Sequence, residues 1–275
     1  MKYNFLARAR ARLLEFYYLR VYRRAFWVKD RMGLVYKREL TDNLYDYFLH
    51  HGYNEVKEQL LINRLVRAGD VVVDVGANIG VYTLQLAKLV GDTGYVIAIE
   101  PESHNVLRLR ENLRHNHLKN VHIIARPAYH KLTKVSFNIF SQIQYGWHTL
   151  GNPQIEYDGE LAKPIKRVTL STTTLDSILV GTKNIPVKLL KVDVEGAELD
   201  VLHGASTLLK HRQIEYILFE VSQIMVDGMH HTNLDIITLL KKYHYSCHLI
   251  KEDGTIGRKI TRFSKTYDNY LAKKI

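Results

Sequence analysis

The sequence predicts an α/β fold, a doubly wound and mostly parallel sheet, and three observations carry the prediction. Short apolar runs of strand length recur at 71–75, 96–99, 120–125, 187–192 and 214–219. Runs that are apolar on both faces fit central parallel strands. Amphipathic stretches of helical period separate the first three runs, the alternation that winds half of such a sheet. Four runs carry or meet an acid at the C-terminal end: Asp74, Glu100, Asp193 and Glu220. In a parallel sheet those ends share the edge along which ligands bind.

The elements follow in order. Leu60, Leu61, Leu65 and Val66 suit a lead-in helix, stopped by Ala68-Gly69-Asp70. Strand 71–75 passes through Gly76-Ala77-Asn78-Ile79-Gly80 into a helix over about 80–90 that carries Val81, Leu84, Leu86, Ala87 and Val90. Gly91 to Gly94 is a turn, 96–100 the second strand, and Ser103 a candidate cap for a helix to about 117. After the third strand, 135–140 alternates like a strand and 142–154 is a polar, aromatic loop holding Tyr145-Gly146-Trp147-His148. Its length suits either a substrate lid or a surface hairpin loop. A short strand at 167–170 and a helix start at Thr174-Leu-Asp-Ser177 precede strand 187–193. Val194-Glu195-Gly196-Ala197-Glu198 then leads into a helix with Leu199, Val201 and Leu202. Strand 214–220, a helix at 233–242, a strand at about 244–250, the turn Glu252-Asp253-Gly254 and a last stretch at 266–272 close the chain. A closing hairpin at the sheet edge is expected there.

The loop after the first strand sets the ligand class. Gly76 and Gly80 let the backbone turn tightly and approach a ligand, and Asn78 tolerates left-handed angles. Glu100 lies one βαβ unit on, at the tip of the next strand, where an acid accepts hydrogen bonds from the two hydroxyls of a ribose. The spacing Gly-x-Asn-x-Gly is not the Gly-x-Gly-x-x-Gly of pyrophosphate binders, and no Gly-Lys-Ser/Thr follows. A nucleoside without a phosphate chain is the expected ligand, and S-adenosylmethionine is the common one.

Composition bounds the rest. The 275 residues suffice for one large domain with appendages. A single cysteine, Cys247, allows no disulfide framework and suits a reducing cytoplasm; a buried apolar thiol is expected. The formal charge is +11, yet residues 1–38 hold eleven Lys/Arg against two acids, and 251–275 hold seven against three. The middle is close to neutral, which disfavours a nucleic-acid groove through the core. Leu14, Tyr17, Tyr18, Val21 and Tyr22 lie at helical spacing among Arg8, Arg10, Arg12, Arg20, Arg23 and Arg24. Such a basic amphipathic helix either caps the domain or lies on an anionic membrane face, with RNA the least favoured partner. No transmembrane run and no signal peptide is expected. The expected location is cytoplasmic, with a peripheral place on the inner membrane face left open.

Several stretches together resemble the FkbM family of class I, Rossmann-like S-adenosylmethionine-dependent methyltransferases: Val73-Asp-Val-Gly-Ala-Asn-Ile-Gly80, Ile99-Glu-Pro101 with Asn112, Thr174-Leu-Asp-Ser177, Leu190-Lys-Val-Asp-Val-Glu-Gly-Ala-Glu198 and Phe219-Glu220. The resemblance runs over about 55–225. It implies a seven-stranded sheet ordered 3-2-1-4-5-7-6 with the seventh strand antiparallel, and methyl transfer, mostly to oxygen. It divides the chain into an extension, 1–50, and a methyltransferase domain, 51–275. By position it implies that Asp74, Gly76, Ala77, Asn78 and Gly80 line the methionine end, that Glu100 with Pro101 holds the ribose, and that Arg126 to Ala128 lie near the adenine, with Asp193 also at the cofactor. The expected acceptor is a small molecule or a glycan, with a sugar hydroxyl of a glycan or glycolipid favoured. An alcohol needs a base, and the candidates are Asp193, then Glu195, then His148. Asp193 and Glu220 offer oxygen ligands of the kind magnesium takes, but no third ligand stands out and no metal is expected. Two other readings keep the fold: an RNA methyltransferase, and a binder of S-adenosylmethionine that has lost catalysis.

Overall fold

The computed structural model describes residues 26–39, 55–140, 148–151, 156–157, 160–161, 163–179, 185–226, 232–263 and 267–275. The helix expected around Leu14–Tyr22 lies outside them, as does most of the 142–154 loop.

The lead-in helix α1 (Val56–Leu65) is followed by β3 (Val71–Val75), α2 (Val81–Val90), β4 (Tyr95–Ile99), α3 (Ser103–His115) and β5 (Val121–Ile124). The second half holds α4 (Leu175–Leu179), β10 (Val187–Val192), α5 (Glu198–His203), α6 (Ser206–Lys210), β11 (Ile214–Ser222), α7 (Gln223–Val226), α8 (Asn233–Lys242), β12 (Tyr245–Ile250), β13 (Ile256–Ile260) and β14 (Tyr267–Lys274). Between the halves lie β6 (Lys134–Ile139) paired antiparallel with β9 (Lys166–Ser171), and the short pair β7 (Glu156–Tyr157) and β8 (Glu160–Leu161).

The central sheet runs β13-β12-β14-β11-β10-β3-β4-β5. Pairing is parallel from β11 through β5, while β14 runs antiparallel between β11 and β12. The expected order of seven strands is present, with β14 as the antiparallel one. The correction is an eighth strand: β13 folds back on β12 through the Glu252–Gly254 turn and forms the edge. The expected closing hairpin is therefore β12–β13, and the final stretch lies inside the sheet.

Alternating residues of the strands face opposite layers. Val73, Val75, Ile97 and Ile99 pack with Leu175, Leu199, Leu202, Leu209, Ile236 and Leu240. Val72, Val96, Leu189, Leu218 and Leu271 pack with Leu61, Ile62, Leu86 and Val90. Both faces are covered by helices, which is why these strands read as continuous apolar runs. Cys247 is buried in the first layer, and burial pushes its thiol up to about 12, as an inert core thiol requires.

The described part of the extension lies beyond the helix expected at Leu14–Tyr22. Residues 26–38 form a hairpin, β1 (Phe26–Lys29) and β2 (Val35–Arg38), with Leu34 and Tyr36 buried against Ala77, Ile79, Leu84 and Leu109. The Asn112 Oδ1 accepts from the Lys37 N–H at 2.7 Å, and Asn116 Oδ1 from the Val35 N–H at 2.8 Å, so α3 holds the hairpin by side chain to backbone. Among the described residues no helix is long and apolar enough to cross a membrane.

Candidate active site

The loop from β3 to α2 is built on positive backbone angles: φ is 83° at Gly76, 49° at Asn78 and 97° at Gly80. At Gly76 a Cβ would lie 1.7 Å from the carbonyl oxygen of Asp193, so only glycine lets β3 and β10 close at their tips. The N–H groups of Gly76 and Ala77 both donate to the Ile99 carbonyl, at 2.9 and 3.0 Å. The Asn78 N–H donates to Glu100 Oε2 at 2.8 Å, and the Glu102 N–H donates to Glu100 Oε1 at 2.9 Å. Glu100 is thus pinned against the loop. Burial pushes its carboxyl up to about 7, against the pull of these two donors. A carboxylate can accept about four hydrogen bonds, so two donors leave capacity for a diol. Pro101 is half-buried beside it, and Ala128 is buried where the chain after β5 bridges to Thr173.

The helix cap differs from expectation. Glu102, not Ser103, caps α3, its side chain accepting from the Asn105 N–H at 2.7 Å. A side-chain oxygen one residue earlier reaches the same orphan donors.

The second half of the site is acidic. Asp74 is fully buried within β3, where its Oδ2 accepts from Thr83 Oγ1 at 2.6 Å. Its Oδ1 has no hydrogen-bond donor among the described residues and lies 3.9 Å from Lys191 Nζ. Register explains the encounter, because Lys191 of β10 pairs with Asp74 of β3. Lys191 Nζ is 2.9 Å from Asp193 Oδ2 and sits over the Tyr82 ring, 4.4 Å from its centroid. Burial works to lower the Lys191 pKa, but Asp193, Asp74 and Glu55 outweigh it and the ammonium is held charged. Tyr82 in turn donates its hydroxyl to Glu55, which also accepts from Asn269 at 3.3 Å.

Beyond Asp193 the chain turns at Glu195, φ 55°, and Gly196, φ 101°. Glu198 Oε1 accepts from the N–H groups of Val194 and Gly196, at 2.9 and 3.3 Å, and holds that turn. The turn swings Glu195 back, so carboxylate oxygens of Asp193, Glu195 and Glu220 lie within 4.8 Å of one another. Burial, then the charge of Asp193, pushes the carboxyls of Glu195 and Glu220 well above the ordinary range. Their affinity for a proton is raised, whereas Asp193 is engaged by Lys191.

The site brings Gly76, Ala77, Asn78, Gly80 and Glu100 together on one side, and Asp193, Glu195 and Glu220 on the other; Asp74, expected at the methionine end, is instead buried on Thr83 and Lys191. His148 stands apart. Its Nδ1 accepts from the Phe140 N–H at 3.1 Å, burial lowers its pKa, and its charged neighbours are Glu102 and His104. The next residue is the one that reaches the acids: Thr149 Oγ1 donates to the Glu195 carbonyl at 2.6 Å. Two participants, Tyr82 and Glu55, lie outside the motifs, and a third, Lys191, lies inside one without a role read for it. Lys191 leaves a trace in the sequence, a lone cation inside a buried strand, which demands an anionic partner.

This donor set fits S-adenosylmethionine: a pinned carboxylate for the ribose diol, a backbone loop that turns under it, and acids to balance a sulfonium. The family model of the methyltransferase FkbM domain matches residues 74–247. A curated relative, the 23S rRNA (uracil(1939)-C(5))-methyltransferase RlmD of Psychrobacter arcticus, is 32% identical over 68 residues, 25% of this chain and 13% of that protein. The structure of methyltransferase FkbM from Methylobacillus flagellatus covers 84% of this chain and 52% of its own, at 16% identity and a TM-score of 0.47. That of a SAM dependent methyltransferase from Aquifex aeolicus covers 81% and 94%, at 13% identity and a TM-score of 0.42. With the family model spanning well over half of its residues, this chain belongs to the FkbM methyltransferase domain family.

Proposed function

We propose that the enzyme methylates a hydroxyl group, with a sugar of a glycan or glycolipid as acceptor. The observation that carries this reading is the convergence of Asp193, Glu195 and Glu220 across the sheet edge from Glu100. Hydroxyl methylation needs a proton acceptor, and this edge supplies carboxylates whose affinity for protons is raised.

S-adenosylmethionine, when bound, supplies a methyl group on a positively charged sulfur. The residues of the chain do the rest. Glu100, with Pro101 behind it, takes the ribose hydroxyls, and Gly76, Ala77, Asn78 and Gly80 give a backbone surface for the methionine end. Ala128 closes the adenine side. Asp74 and Lys191 set the charge beneath Asp193. Glu195 takes the proton of the acceptor hydroxyl. Asp193 was the first choice on sequence, but its pairing with Lys191 makes it an orienting group. His148, engaged by the Phe140 N–H, shapes the wall. Holding the two reactants in register is worth about 7–11 kcal/mol of barrier, the larger part of the task.

The test is mass spectrometry of candidate glycans, glycolipids and RNA incubated with isotope-labelled S-adenosylmethionine. A labelled sugar hydroxyl supports the reading. Label that appears on RNA alone, or cofactor binding with no acceptor labelled, sinks it.

A further inference from the structure

Asp193, Glu195 and Glu220 reach one point from three places: the end of β10, the left-handed turn after it, and the body of β11. One carboxylate oxygen of each lies within 4.8 Å of the other two. Lys191 answers Asp193 at 2.9 Å. Glu220 is 4% exposed, and its carboxylate takes no hydrogen bond from any described residue. A buried carboxylate without a donor is expensive, and this one points into a space it shares with two more. A small cation able to meet three oxygens at once would offset that cost.

We propose that Asp193, Glu195 and Glu220 form a binding site for a hard divalent cation, magnesium or manganese. The ligand set is all oxygen and carboxylate, which selects these ions over zinc or copper. Three protein ligands leave positions for water and for one further oxygen, the usual arrangement for magnesium. Oxygens on opposite sides of magnesium are roughly 4 Å apart, so modest side-chain rotation closes the present spacing. Lys191 stays on the Asp193 side, so Glu195 and Glu220 carry the negative charge that it does not balance.

The inference rests on the reading of this edge as the transfer site, and deepens it. An acceptor hydroxyl that takes an open position loses its proton more easily, because the ion stabilises the oxygen's negative charge. A carboxylate bound through one oxygen keeps the other, so the proton passes to the second oxygen of Glu195 while the electron pair stays on the acceptor oxygen. Sequence alone offered Asp193 and Glu220; the fold supplies the third ligand.

The experiment is titration of the full chain with Mn2+, followed by electron paramagnetic resonance and by calorimetry, after removal of metal with chelator. One ion per chain is expected, with a rise in melting temperature. Glu220→Gln and Glu195→Gln each weaken binding by about tenfold or more, while Glu215→Gln, on an exposed pair with Lys188, leaves it unchanged. No Mn2+ bound at millimolar concentration overturns the proposal, as does binding that both variants retain. If Glu220→Gln fails to fold, Glu195→Gln and the melting shift of the unmodified chain carry the test. S-adenosylmethionine binding is measured separately in chelator. Cofactor bound without any cation site defeats this inference alone; loss of cofactor binding as well defeats the reading of the pocket.

Discussion

Asn78 and Glu100, 22 residues apart in the chain, meet through a 2.8 Å hydrogen bond from the backbone N–H of one to the carboxylate of the other. The bond ties the glycine loop to the tip of the neighbouring strand, and the proposed ribose contact would fall on the same carboxylate.

Replacing Glu100 separates these duties. In Glu100→Gln the amide NH2 confronts one of the two backbone donors, and a buried donor left unpaired costs about 1–3 kcal/mol. S-adenosylmethionine affinity is expected to fall roughly 10–100-fold by calorimetry. An unchanged affinity would remove Glu100 from the cofactor site.

Glu100 also predicts a pH dependence. Its carboxyl is raised to about 7 in the free protein, above the ordinary value of 4.5. Ribose hydroxyls donate to the ionised form, so binding must expel the proton at lower pH. Affinity should be flat above pH 7 and weaken by about tenfold per unit below it. The same shift acts on stability in the opposite sense: ionising this buried group costs the ligand-free protein stability as pH rises from about 4.5 to about 7. Cofactor binding by Glu100→Gln should lack the wild-type slope near pH 7.

Gly76→Ala tests the closure of β3 on β10. The added Cβ would overlap the Asp193 carbonyl oxygen at 1.7 Å, at a φ of 83°. Overpacking against backbone together with an unfavourable φ is expected to cost about 3 kcal/mol or more. Thermal melts should fall by about 10 °C, and a drop of only a degree or two would show that the strand tips can part.

The two lysine pairs of β10 make an internal control. Lys191→Met leaves Asp74 and Asp193 without their cation at a site that is 3% exposed, and breaking such a buried pair costs about 3–5 kcal/mol. Lys188→Met breaks an exposed pair with Glu215, worth less than about 1 kcal/mol. Urea unfolding should rank them in that order.

The base assignment predicts a split in kinetics. Glu195→Gln should lower kcat by about 10²–10⁴-fold while S-adenosylmethionine affinity holds, and His148→Ala should change kcat little. The reverse ranking would return the role to His148.

Much of this was legible in the sequence because parallel strands buried on both faces leave long apolar signatures. Strand 71–75 and helix 233–242 lie where periodicity puts them, and Asn78 takes the left-handed angle its type allows. The misses share a cause, which is contact between distant segments. The β1–β2 hairpin hides its apolar side in Leu34 and Tyr36, two residues among many cations, and its partner is α3, about 75 residues on. Glu195 is a candidate base on sequence, but how it reaches the edge is not legible there: the angles at 195 and 196, braced by Glu198, turn it back. The Thr174–Ser177 motif is structural: Asp176 accepts from the N–H groups of Thr207 and Leu208 and fixes the start of α6. A truncation that stops at residue 25 spares the hairpin and tests the anionic-surface reading of the basic segment before it. Liposome binding lost on that truncation would support the anionic-surface reading, and unchanged binding would defeat it.

The position of β14 between β11 and β12 orders assembly in time. Strands β12 and β13 precede it in the chain, yet have no hydrogen-bonded neighbour toward the parallel strands until it arrives. A nascent chain must therefore hold two unfinished pieces apart until its final described strand is inserted as a wedge. Stalled or clipped molecules that stop before Tyr267 would carry two open ladders, the form in which edge-to-edge association between chains begins.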